Sequence, residues 1–206
     1  LWRKLRRYAG LPVKAIFLNS GAAEIFSVTE LKQLQGWAEL YFFGSPGGAL
    51  LEAGIPGVFC DEYLIGYKGV RHLLEIGCRR ILMAEEGGAL RRAGAQAAVD
   101  ESLDNARLRF CGESELGPVA GEWYADGIFF ASDEQAHRIE ARGHLGGKVA
   151  LLGCSGSAGR NAPESTLSSV DFRPEAVINR LWGMYQREIP ATVEALPPGL
   201  VLRSST

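Results

Sequence analysis

This chain is poor in the features that announce specialised chemistry. Its four cysteines, at positions 60, 78, 111 and 154, form no CxxC pair and have no histidine cluster beside them. Neither a zinc site nor a thioredoxin-like redox pair is indicated, and free thiols in a reducing cytoplasm are expected. No apolar run reaches the length that crosses a bilayer. The basic opening LWRKLRR is followed by AIFL, too short for the apolar core of a signal peptide, and reads as the last turns of a helix. A formal net charge of −2 leaves no electrostatic footprint for nucleic acid or an anionic membrane, because phosphate binding needs clustered Lys and Arg. This chain by itself is not expected to bind DNA. No GxGxxG or phosphate-binding loop follows a strand. GCSGS at 153–157 is a near miss to the G-x-S-x-G nucleophile elbow, with Ser157 where the last glycine belongs. His72, His137 and His144 have no nucleophile at motif spacing, so an enzyme is not expected, nor a cofactor or metal.

What is present is α/β alternation. With 206 residues and 47% hydrophobic content the chain can bury a sizeable core in one domain or two close lobes. Strand-like runs VKAIFLN, ELYFF, GVFC, RILMA, ARLRF, GIFFA and KVALLG alternate with helix-like SVTELKQLQGW, ALRRAGAQAAV and SDEQAHRIEA. Short strands separated by such helices imply right-handed crossovers and parallel sheets. GSPGG at 44–48 reads as a turn-forming link. The clearest unit runs from Asp61 to Ala84, where Tyr67, Val70, Leu73 and Leu74 make an apolar helix stripe, Gly77 supplies a left-handed cap, and Ile81–Met83 follow as a buried strand. After Gly153 come a polar loop, a helix from about 174 to 187, a Pro-rich connector and a last strand, LVLRSS.

The segment DEYLIGYKGVRHLLEIGCRRILMA resembles the effector-binding domain of LacI/GalR-type transcriptional regulators. The likeness continues in order. VKAIFLN is similar to a strand closing on a cleft-facing Asn, LRRAGAQAAV to a helix start carrying an arginine before Ala-Gly, and ADGIFFASDEQA to a turn carrying an aspartate. KVALLGCSGS, STLSSVDF and LPPGLVLRSST resemble the family's later strand, return-helix entry and ending. Three departures stand out. Nothing like the family's first strand–helix unit or its DNA-binding headpiece precedes Leu1, the loop from Met83 to Arg91 is short, and Cys154-Ser155-Gly156 replaces aromatic-Asp-Asp.

The resemblance implies two Rossmann-like lobes with parallel sheets, of the type I periplasmic-binding-protein kind, the N-terminal lobe being incomplete with an exposed apolar edge. Residues 1–60 with 155–188 would form that lobe, and 61–154 with 189–206 the other. It implies a cytoplasmic, homodimeric sensor that binds a sugar or similar polar metabolite in an inter-lobe cleft and reaches DNA only through the headpiece. A solute-binding protein for transport is the alternative of the same fold, and an α/β hydrolase a more distant one.

The ligand residues implied are Asn19, Asp61, Arg91, Glu113 and Asp133, with Phe59 (or Phe42 or Phe43) as the flat face for a sugar ring. Carboxylates accept paired hydroxyls, a guanidinium donates in a fork and an amide does both. Arg91 and Asp133 are expected on one wall, and Asp133→Ala should weaken a ligand at least about tenfold with little change in stability. Each residue also has a plainer reading. Asp133 can be a helix cap, Arg91 with Arg92 a solvated helix face, and Asn19 before Ser20-Gly21 a turn residue.

Overall fold

The computed structural model describes residues 12–84, 88–103, 105–141, 149–155 and 165–206. The LWRKLRR opening, His144, Gly156, Ser157, part of the Met83–Arg91 loop and most of the polar loop after Ser155 lie outside the described residues. The chain divides into two compact units. Unit 1 runs to Cys60 and takes in Pro174–Leu196; unit 2 is Asp61–Arg173 with Pro197–Thr206.

Unit 1 contains β1 (Ala15–Asn19), α1 (Ser20–Ala23), α2 (Val28–Gln35), β2 (Glu39–Phe43), α3 (Gly48–Glu52), β3 (Gly57–Cys60), α8 (Pro174–Tyr185) and β9 (Val193–Leu196). Its sheet order is β1-β2-β3-β9, parallel throughout. Period-two alternation assigns the faces. Leu40 and Phe42 bury against Phe26, Leu31, Leu34, Leu50 and Ile55, whereas Tyr41 and Val58 bury against Leu181 and Met184 of α8. Ser27 opens α2 with a capping box: its hydroxyl accepts from Glu30 N–H at 3.3 Å, and Glu30 accepts from Ser27 N–H at 2.9 Å. The Ser27 N–H and the Ser27 hydroxyl, which donates to the same carboxylate at 2.8 Å, hold the Glu30 carboxyl below its usual range. The segment read as a glycine-rich link ends in α3, which Leu50 anchors in the core. Among the described residues β1 has a strand partner on one side only, and beside it runs an apolar groove of about 500 Å³ lined by Phe17, Phe43, Val177, Ile178, Leu181 and Trp182.

Unit 2 contains α4 (Glu62–Glu75), β4 (Arg80–Ala84), α5 (Gly88–Asp100), β5 (Arg107–Cys111), a 3-10 turn (Glu113–Glu115), α6 (Leu116–Trp123), β6 (Gly127–Phe129), α7 (Asp133–Ala141), β7 (Ala150–Ser155), β8 (Ser168–Asp171) and β10 (Gly199–Val201). The order is β10-β8-β7-β6-β4-β5. All neighbours run parallel except β10, which returns antiparallel to β8 and departs from the wholly parallel expectation. Leu82, Ala84, Ile128 and Phe130 face a core closed by Leu116, Ala136 and Ile139. On the opposite face α4 lies against β6, β7 and β8, and its Gly69 lies directly over the Phe129 ring. Asp61 caps the helix, accepting from Leu64 N–H at 3.0 Å, and Gly77 follows it with φ of 100°, the left-handed cap that the sequence predicts. Its buried stripe is centred on Gly66, Gly69, Val70 and Leu73, with Tyr67 at the margin, where the phenol donates to Glu101 at 2.5 Å.

Two expected boundaries are corrected. Residues 165–173 belong with unit 2, because β8 is almost wholly buried and pairs in parallel with β7 from Leu152↔Ser168 to Ser155↔Asp171. Residues 193–196 belong with unit 1, because β9 extends its sheet through Gly57↔Val193 to Cys60↔Leu196. A strand is placed by the neighbours it pairs with, and that partnership cannot be read from position along the chain.

Candidate functional site

In unit 2 the C-terminal ends of β4, β6, β7 and β8 lie along one rim of the sheet, and their parallel order brings the starts of α5 and α7 to the same rim. This is where ligands of open parallel sheets usually sit. Two glycines set the geometry behind it. A Cβ on Gly66 of α4 would collide with the Arg91 carbonyl, and one on Gly94 of α5 would collide with the Tyr63 carbonyl. The two helices therefore touch backbone to backbone, and Glu62, one turn before Gly66, comes opposite Arg91.

Arg91 is buried, at 7% exposure, and is no solvated surface residue. Its Nε donates to Glu62 Oε2 at 2.9 Å and its Nη2 lies 2.7 Å from the same oxygen. Nη1 donates to the Ala131 carbonyl at 3.2 Å, and Cζ stands 5.7 Å above the centre of the Phe172 ring. The Ala131 N–H donates to Gln135 Oε1 at 2.9 Å, and Gln135 Nε2 donates to Glu113 at 3.5 Å. Glu113 in turn accepts from Arg138 Nη2 at 2.7 Å and Nε at 3.1 Å. A hydrogen-bonded path thus joins Glu62, Arg91, the Ala131 peptide, Gln135, Glu113 and Arg138.

Asp133 lies two residues beyond the carbonyl that Arg91 holds. Its neighbour Ser132 does the capping, accepting from Gln135 N–H at 3.1 Å. The Asp133 carboxylate instead turns inward at 1% exposure, accepting from Ser169 Oγ at 2.6 Å and Ser155 Oγ at 3.4 Å. Gly153 makes room for it, since a Cβ there would meet Asp133 Oδ1. Ser155 closes β7 with φ of 115°, a conformation L residues rarely adopt and one that concentrates at functional sites. The expectation that removing Asp133 leaves stability little changed is corrected, because a carboxylate bonded to a fully buried serine is part of the core.

The other sequence-derived residues are less committed to this rim. Asp61 is at the rim but spends one oxygen on the α4 cap. Asn19 and Phe59 belong to unit 1, at the C-terminal ends of β1 and β3. Asn19 accepts from Gly21 N–H at 3.0 Å as the cap of α1, and Phe59 is half-buried against the Leu40–Phe42 core. Phe42 has 0% exposure and offers no face to a ligand. Glu62, Gln135, Ser169 and Phe172 were not singled out from sequence. Glu62 sits beside Asp61 and Gln135 two residues after Asp133, but Ser169 and Phe172 reach the rim only because β8 enters this sheet.

Neither described histidine serves Ser155: His137 lies 3.7 Å from Glu140, and His72 is bonded to Thr206 at 3.0 Å. No group of three His, Cys, Asp or Glu among the described residues is placed to hold a metal ion, and none of the described helices is long and apolar enough to cross a membrane.

Parallel α/β units with polar side chains gathered at the strand ends define a class of small-ligand-binding folds. The chain belongs to the family described as "Periplasmic binding protein-like domain", which matches residues 70–206. Among solved structures it is similar to a LacI transcriptional regulator from Rhodococcus species, at 22% identity and TM-score 0.73, over 100% of this chain and 81% of that one. A LacI family transcriptional regulator from Enterococcus faecium with bound ribose shares 18% identity at TM-score 0.71, over 99% and 83%. The regulator CelR in complex with cellobiose shares 21% at TM-score 0.66, over 100% and 70%. At these identities the likeness establishes the fold. No curated protein sequence matches the chain.

Proposed function

We propose that this chain is the effector-sensing part of a LacI/GalR-type regulator of the cytoplasm, working as a homodimer, and that the rim of unit 2 binds a small sugar or a similar polar metabolite. The observation that carries this reading is the convergence of Arg91 and Asp133 on the Ala131–Asp133 turn, with Phe172 beside them. A carboxylate for paired hydroxyls, a guanidinium and an aromatic face form the mixture that sugar recognition requires. The ribose- and cellobiose-bound neighbours support the ligand class. Binding would act as a population shift, moving the chain between states only by the ligand's differential affinity for them, and a headpiece carried elsewhere would respond.

Calorimetric titration with D-ribose, D-xylulose and cellobiose tests the reading. At least one should bind saturably, and the isosteric Asp133→Asn should weaken it at least about tenfold, since a charge-assisted hydrogen bond is worth roughly 1.5–3 kcal/mol. A sugar that binds equally well to the parent, to Asp133→Asn and to Arg91→Lys would show that it binds away from this rim.

A further inference from the structure

The Arg91 guanidinium reaches the rim already occupied. Its Nε–Nη2 edge, the edge that grips a carboxylate or phosphate in bidentate fashion, is held by Glu62 Oε2 at 2.9 and 2.7 Å. Nη1 is drawn to the Ala131 carbonyl, and one face of the plane looks onto Phe172. The side chain is only 8% exposed, and Glu62 only 23%. The pairing is built into the backbone, because the Gly66 and Gly94 contacts fix α4 against α5 with these two residues opposite one another. The rim charges point the same way. Arg91 and Arg138 are each already bonded to a carboxylate, Arg91 to Glu62 and Arg138 to Glu113. An anionic ligand would meet a neutralised arginine and the Glu62 carboxylate at short range, where partial burial makes like-charge repulsion costly. A hydroxyl meets no such penalty, since it can donate to a carboxylate and accept from a guanidinium hydrogen.

We propose that Glu62 is a specificity-determining residue: by holding the Arg91 fork it restricts the unit 2 rim to uncharged polyhydroxylated ligands and rejects phosphorylated or carboxylated ones. The proposal rests on the reading of this rim as the ligand site.

The test has two arms on the full chain. In the first, the Arg91 side-chain Nε–H resonance is followed during titration with inorganic phosphate. In the parent it should stay still. In Glu62→Gln it should shift saturably, with affinity at least tenfold tighter, and calorimetric titration of Glu62→Gln/Arg91→Lys, which has no such resonance, should find that phosphate binding lost. A parent resonance that moves with phosphate as readily as the variant's overturns the proposal, and so does a variant resonance as inert as the parent's. The parent measurement decides by itself if Glu62→Gln misfolds. In the second arm, D-ribose and D-ribose 5-phosphate are compared by calorimetry. The parent should prefer ribose, and Glu62→Gln should narrow that preference at least tenfold; a parent that prefers the phosphate overturns the proposal. Failure of both sugars to bind would instead count against the sugar-sensing reading, and the phosphate arm would still decide the role of Glu62.

Discussion

Asp133, which we propose for the ligand rim, is by its contacts a core residue. Its bond to Ser169 at 2.6 Å is fully buried, so Asp133→Ala removes that acceptor, leaves the hydroxyl the longer 3.3 Å contact to the Val170 carbonyl, and should cost about 1–3 kcal/mol in chemical denaturation. Asp133→Asn keeps an acceptor for Ser169 and should cost less than alanine does; equal losses would mean that the carboxylate matters only by filling space. The thiols make a second case at this scale. Burial, with Asp126 nearby, pushes the Cys78 thiol up to about 11, and its Sγ donates to the Asp126 carbonyl at 3.4 Å. Only the thiolate is a good nucleophile. Iodoacetamide on the folded protein should therefore label half-buried Cys60 first, and Cys78 only after unfolding, as read by peptide mass spectrometry.

For elements, the informative pair is α4 with α5. Apolar spacing and a closing glycine made α4 legible in the sequence, but nothing along the chain says that its Gly66 must meet the Arg91 carbonyl. An added methyl has no room between two backbones. Gly66→Ala or Gly94→Ala should destabilise unit 2 by about 1–3 kcal/mol through overpacking, even though alanine is the better helix former. Because the helices must separate, the Glu62–Arg91 pair should loosen too, and the Arg91 Nε–H resonance should shift toward solvent-exposed values. A Gly66→Ala variant as stable as the parent would show that the two helices have slack. The opposite failure of legibility is α6, whose sequence LGPVAGEW holds two glycines and a proline, yet whose Leu116 and Ala120 are buried in the core.

At the scale of the whole molecule, the contact between His72 and Thr206 reports on pH. The Thr206 hydroxyl donates to Ser168 Oγ at 2.7 Å, and Ser168 donates onward to the Arg203 carbonyl at 3.1 Å. That order leaves Thr206 Oγ1 as acceptor toward His72, so Nε2 carries the proton of the neutral ring. Burial lowers the His72 pKa, against a smaller opposing pull from Glu75. A histidine whose folded pKa is depressed is held neutral. Its contribution to stability is complete above the unfolded value of about 6.5, declines as pH falls below it, and levels off beneath the folded value. Denaturation midpoints of the parent should fall relative to His72→Gln as pH drops from neutral through that window, and parallel curves would refute the assignment. In unit 1, Phe17, Ile178 and Trp182 are 39%, 63% and 53% exposed beside β1, which among the described residues pairs on one side only, a combination that favours association. Trp182→Arg should lower the apparent mass measured by sedimentation at high concentration; a parent chain with a constant monomer mass would count against this.

The sequence by itself determined the alternation of strands and helices, the glycine that closes α4 and the order of family motifs, whose resemblance proposed Arg91 and Asp133 for the site. The elements are local matters, set by side-chain periodicity and by the backbone preferences of a few residues. Only the tertiary structure decided that β8 joins the second sheet and β9 the first, that Ser132 rather than Asp133 caps α7, and that Glu62 already grips Arg91. The physical reason is common to all three. Each depends on which partner satisfies a buried polar group or completes a sheet edge, and those partners lie 29 residues away for Arg91 and 36 for Asp133.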